Sequence, residues 1–115
     1  MGTVQVLSIG DVLSGLSSKR HDASEVVRAP SGSLSVSASR RPIGSTDNQR
    51  PHAEDEVYYV IRGRAMFESD GGAVPVVAGS LVFVPASAEH RFADITEDMQ
   101  TLIFWSPARA ATGSR

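Results

Sequence analysis

Short runs of β-branched and aromatic residues, each cut off by glycine, proline or acid, set the pattern of this chain. Thr3 to Ile9 is an apolar run that predicts a first strand. Asp11 can cap a short helix carrying Val12, Leu13 and Leu16 on one side, and Ser17 to Asp22 is a polar loop. Glu25 to Arg28 and Ser33 to Ser39 predict two strands joined by the Pro30-Ser31-Gly32 turn. In the second of these, Leu34 and Val36 alternate with serines, as on a strand with one face inward. After the loop Pro42 to Asp47, Val57 to Ile61 is rich in β-formers and stops at Gly63. Arg64 to Glu68 continues as a strand, Asp70-Gly71-Gly72 marks a hairpin, and Val74 to Val77 returns. Pro75 pushes that returning strand toward a sheet edge. Leu81 to Val84 is a fully apolar strand ended by Pro85. His90 to Ala93 and Gln100 to Trp105 are the last strands, with Thr96-Glu97-Asp98 between them. The small, polar stretch from Ser106 to Arg115 predicts a disordered tail.

Roughly eight to ten short strands with almost no helix predict an all-β sandwich or barrel. Tyr58, Met66, Phe83, Phe92, Leu102 and Phe104 are the expected interior. At 115 residues the chain is one domain, read as a barrel over residues 1–105 with its tail beyond. A net charge of −2 with scattered arginines gives no basis for binding nucleic acid. The absence of cysteine removes disulfides, thiolate metal sites and cysteine nucleophiles. The N-terminus does not read as a signal peptide, and no apolar run reaches the ~20 residues that span a bilayer. A cytoplasmic location is the resulting expectation.

Candidate chemistry gathers in Arg50 to Gly63, R-P-H-A-E-D-E-V-Y-Y-V-I-R-G, and around His90. His52 and Glu56 flank a short Ala-Glu-Asp turn, and His90 opens a different strand. If both segments line one barrel, two imidazoles and a carboxylate converge and leave positions open, a donor set that suits iron, zinc, manganese or nickel. Glu54 and Asp55 read as solvated turn acids, with Glu54 as a substitute ligand; His21 reads as a surface loop histidine. Asp94 shares a face with His90 and Phe92 and is a candidate to orient a site residue.

The spacing resembles that of the cupin superfamily. The first motif runs Gly44, five residues, Arg50-Pro51-His52, three residues, Glu56, six residues, Gly63. The second runs Gly79, five residues, Pro85-Ala86-Ser87, two residues, His90, three residues, Asp94. Ser87 stands where the family has a turn glycine, and Asp94 where it has asparagine. Arg50 stands where the family keeps its first ligand histidine. The resemblance implies a single-domain jelly-roll β-barrel and a divalent transition metal on His52, Glu56 and His90. It also implies a small-molecule substrate or ligand in the barrel and a homodimer. A guanidinium cannot ligate a cation, so Arg50 either clamps an anionic substrate group, replaces the metal, or turns outward at Pro51. With Arg50, Tyr58 is the second candidate catalytic residue, through its hydroxyl. The expected activity is metal-dependent oxygenase, isomerase, cyclase or lyase chemistry. A non-catalytic binding module and a metal-free acid/base isomerase of the sugar-epimerase type are the alternatives.

Overall fold

The β-rich runs join into fewer and longer strands than their punctuation suggests. In the computed structural model, which describes residues 3–110, α1 (Ile9–Ser14) is followed by β1 (Asp22–Arg28) and β2 (Ser35–Arg41). Then come β3 (Asp55–Ser69), β4 (Gly72–Val77), β5 (Leu81–Val84) and β6 (His90–Ser106). All pairings are antiparallel, in the order β1-β2-β6-β3-β4, with β5 on β3. The fold is an all-β jelly-roll barrel, as the sequence indicates. β3 absorbs two of the expected strands, and β6 runs straight through Thr96-Glu97-Asp98.

β3 and β6 are the spine. The first half of β3 pairs with the end of β6 and with β5; its second half pairs with the start of β6 and with β4. Between the halves the register shifts three times, from Val60 to Met66, and these bulges bend the ladder so that the sheet can roll. Gly63 sits in the bend at φ 106°, where a Cβ would lie 2.6 Å from the Asp98 carbonyl oxygen and 2.7 Å from Met99 Cα. The bulges also change phase. Inward positions are Glu56, Tyr58 and Val60 before the bend, and Ala65 and Phe67 after it. In β6, Asp94 takes a left-handed conformation (φ 47°), and the inward set passes from His90 and Phe92 to Ile95, Met99, Thr101, Ile103 and Trp105.

These phase changes correct the expected interior. Tyr58 and Phe92 are buried in the core, whereas Met66, Leu102 and Phe104 are only partly buried and Phe83 is 64 % exposed. Val60, Phe67, Ile103 and Trp105 fill the core instead. On β2 the serines face in: Ser39 and Thr101 share a 2.6 Å hydroxyl hydrogen bond, and Ser35 and Ser37 are buried. Val36 and Ala38 are buried on the other face, so β2 is covered on both sides; of the expected inner pair Val36 is buried and Leu34 is exposed.

Thr3 to Ile9 forms no strand; Val4 and Val6 are 90 and 94 % exposed. The helix begins at Ile9, capped by the Ser8 hydroxyl, which accepts from the Asp11 amide, rather than by Asp11 itself. At the other end the chain stays ordered past Ser106. Arg109 is buried over the Trp105 ring and 3.5 Å from Glu54, and the amides of Arg109 and Ala110 donate to Ser35 Oγ and Glu54 Oε2. Residues 111–115 of the expected tail lie outside the described residues. No helix among the described residues is long and apolar enough to cross a membrane.

Gly63→Ala should destabilise the fold by clearly more than about 2 kcal/mol, because positive φ and backbone overlap add. Gly44→Ala, also at positive φ (77°) but facing open space, should cost only the conformational penalty of about 1–2 kcal/mol. Urea denaturation of both variants checks this, and equal losses would contradict the packing role given to Gly63.

Candidate metal centre

Three structural elements deliver the site. His52 lies in the loop leading into β3, Glu56 is the first inward residue of that strand, and His90 is the first residue of β6. Two backbone clasps hold the loop against the β5–β6 turn. The Ser87 amide donates to the His52 carbonyl at 2.6 Å, and the Ala86 amide donates to Asp55 Oδ1 at 2.8 Å. Ser87 makes its bond from a left-handed conformation (φ 68°), the one a turn glycine would adopt freely.

His52, Glu56 and His90 are 7, 1 and 7 % exposed, and one ligand atom from each lies within 4.8 Å of the others. Glu56 Oε1 is 3.0 Å from His90 Nε2, yet neither carboxylate oxygen receives a well-directed hydrogen bond. A buried carboxylate without donors is costly unless a positive charge faces it. His90 Nδ1 donates to the Ala88 carbonyl at 2.9 Å, which leaves Nε2 as the atom that faces the site. Burial lowers the His90 pKa, but the Glu56 carboxylate and the Ala88 carbonyl outweigh it, so the net shift is upward. At His52 burial dominates and the shift is downward, which favours the neutral imidazole that ligates metals. These donors fit a divalent transition metal: two imidazoles and one carboxylate, converging, buried and short of hydrogen bonds.

Tyr58 also belongs to the site. It is fully buried, and its hydroxyl donates to Gln49 Oε1 at 3.1 Å and lies 3.4 Å from His90 Nε2. Burial, reinforced by the Glu56 charge, raises its pKa well above the ordinary value, so the phenol stays protonated. Arg50 is exposed on the rim of a cavity of about 540 Å³ that it lines with Gln49, Glu68, Asp70, His90 and Arg91. A second cavity of about 620 Å³, walled by Phe67, Val76, Val82 and Val84, also reaches His90.

Several candidates sit elsewhere. Glu54 is buried in an ion pair with Arg109 rather than solvated, and it is outside the metal cluster. Asp55 is exposed and spends its carboxylate on the Ala86 amide. Asp94 is exposed because its left-handed backbone turns it away from the His90 face, so it orients nothing in the site. His21 is half-buried, and burial together with Arg41 lowers its pKa to about 4.

The sequence reading missed an inner chain of contacts. Arg41 lies 3.5 Å from Asp47 with both side chains buried, and stands over the Phe92 ring. Asp47 accepts from the Phe92 amide at 2.8 Å and from Gln49 Nε2 at 2.7 Å. Gln49 Oε1 then meets His52 Nε2 at 3.1 Å. No motif signals these residues, since Asp-Asn-Gln in a polar loop looks like any turn. Trp105 packs edge-on against His52 at 4.9 Å, so it too serves the site wall.

Comparison with known proteins agrees with this fold. A family profile described as the cupin domain matches residues 39–106. An uncharacterised protein of Streptomyces coelicolor is 43 % identical over 74 residues, covering 64 % of this chain and 70 % of its own. Among solved structures, a protein of unknown function from Rhizobium leguminosarum superposes with TM-score 0.76 at 21 % identity, over 92 % of this chain and 99 % of that one. An ectoine synthase from P. lautus superposes with TM-score 0.73 at 16 % identity, over 91 and 79 %.

Histidine NMR titration of the metal-free protein should place His90 above and His52 below the ordinary value of 6.5. The stabilisation from His90 is then full below pH 6.5 and lost as pH rises through its folded pKa. That from His52 is present above pH 6.5 and lost as pH falls through its folded value. The reverse order of the two titrations would contradict the Glu56–His90 pairing.

Proposed function

We propose that this chain, which belongs to the cupin family, holds a divalent transition metal on His52, Glu56 and His90 and is an enzyme acting on a small organic molecule. The observation that carries the proposal is the buried Glu56 carboxylate, which faces both histidines and receives no well-directed hydrogen bond. Iron, zinc, manganese and nickel all accept this donor set. When bound, the metal would supply Lewis-acid polarisation of a substrate oxygen, or oxygen activation in the case of iron.

The chain's own residues divide the remaining work. The apolar wall of Phe67, Val76, Val82 and Val84 takes the carbon skeleton and excludes water. Arg50, permanently charged at the rim, holds a carboxylate or enolate oxygen. Tyr58, kept protonated by burial, holds the Gln49 amide beside the histidines and does not act as a base. Isomerisation, cyclisation or elimination suits this combination of a polarising centre and a cationic clamp. The shared fold of an ectoine synthase supports that class by analogy only. One observation favours a second reading. The 3.0 Å His90–Glu56 pair is also the arrangement a metal-free acid/base isomerase would use.

The proposal extends to a homodimer over the outer sheet face. Val57 pairs with Phe83 on one side and Phe104 on the other, and Tyr59 likewise with Leu81 and Leu102, in two adjacent apolar rows. Leu81 and Phe83 are 69 and 64 % exposed, and the extended segment with Val4 and Val6 is free to lie across a second copy.

Protein purified without a histidine tag should contain about one transition-metal ion per chain, and His52→Ala/His90→Ala should contain none. Glu56→Gln should weaken metal affinity at least tenfold and, in the metal-free protein, abolish the upward shift of the His90 titration. Failure to take up iron, zinc, manganese or nickel on reconstitution would sink the metal reading and leave the acid/base one. Light scattering should give twice the chain mass, falling to one chain in Leu81→Ser/Phe83→Ser; a monomeric parent would refute the dimer.

A further inference from the structure

The place of the first histidine in the motif is taken by an arginine that faces solvent, which leaves the metal site with three donors from its motifs. The structure brings a fourth oxygen to that place from one residue earlier. We propose that Gln49 Oε1 is a protein ligand to the same ion that His52, Glu56 and His90 hold, an inference that rests on the metal-site reading above.

The orientation of the Gln49 amide is fixed. Its Nε2 donates to Asp47 Oδ2 at 2.7 Å, and Asp47 is itself buried against Arg41 and the Phe92 amide. The carbonyl oxygen must therefore face the site, and it stands 3.1 Å from His52 Nε2 and 3.1 Å from the Tyr58 hydroxyl. Donors at ~2.0–2.2 Å from one ion, at right angles to each other, are about 3 Å apart. The Gln49–His52 contact at 3.1 Å and the Glu56–His90 contact at 3.0 Å are both edges of that size. Once His52 presents an unprotonated Nε2 to a metal, that nitrogen and Gln49 Oε1 are two acceptors face to face. The contact is then favourable only with a cation shared between them. The Tyr58 hydroxyl donates to the second lone pair of the same oxygen and would keep the amide aligned while it ligates.

This assignment also gives Arg50 its position. With Gln49 turned inward, the next side chain points out to the cavity rim, where its charge does not oppose the ion.

The test uses Co(II) as a visible probe and Zn(II) in competition with a chromophoric chelator, on the parent, Gln49→Leu, Gln49→Glu and His90→Ala proteins. Circular dichroism confirms that each is folded. Gln49→Leu should bind Zn(II) at least tenfold more weakly and shift the Co(II) d–d bands. Gln49→Glu, which keeps an oxygen in place, should bring the bands back toward the parent spectrum. Weaker binding with unchanged Co(II) bands in Gln49→Leu would overturn the proposal, leaving Gln49 as a hydrogen-bond partner of His52 only. Parental affinity in that variant would overturn it as well. If the folded parent takes up neither ion, the metal-site reading fails first and this ligand assignment goes with it; loss of binding in His90→Ala alone keeps that reading and rejects Gln49.

Discussion

A loop without a backbone ladder presents a histidine reproducibly only if something inside the barrel holds it, and in this chain that is the Asp47 carboxylate. Asp47 is buried against Arg41 from the end of β2 and accepts the amide of Phe92 in β6. It also orients Gln49, and through Gln49 it reaches His52 and Tyr58. An exposed ion pair would contribute about 0–1 kcal/mol, too little to fix a loop. Removing one partner of a buried pair leaves an uncompensated charge at about 3–5 kcal/mol, which is enough to keep the loop in one arrangement. The two backbone clasps from Ala86 and Ser87 hold the same loop from outside. His52 is thus set from two directions by the protein alone.

The barrel contributes the other two donors by a different route. Glu56 and His90 sit at the starts of the two long strands, and those strands run antiparallel, so their starts lie at opposite ends of an unbent ladder. The bulges around Gly63 and the left-handed turn at Asp94 bend the pair until both starts face the same interior. The same bend separates the apolar wall of Phe67, Val76 and Val84 from the polar rim of Arg50 and Arg91. His90 stands where the two cavities meet.

Much of this was legible in the sequence. The β-formers, the Gly and Pro punctuation and the paired motifs indicated an all-β jelly roll, and the interval between His52, Glu56 and His90 indicated a common site. What failed was phase. A strict two-residue alternation carried from His90 through β6 puts Leu102 and Phe104 inside; one left-handed residue, Asp94, reverses this and buries Ile103 and Trp105. Thr3 to Ile9 has the composition of a strand, but no strand among the described residues pairs with it. The Arg41–Asp47–Gln49 chain was invisible for another reason. Its members belong to β2 and a polar loop, and only the closed barrel makes them neighbours of His52.

The central claim is that the inward Glu56, with its two histidines, exists to hold a cation. X-ray absorption at the metal edge of the reconstituted protein tests it most directly. Two imidazoles in the first shell, with oxygen donors at ~2.0–2.2 Å, are the expected result. A shell of oxygen alone, with no imidazole scattering, would mean that the ion sits elsewhere and that the buried carboxylate serves another purpose.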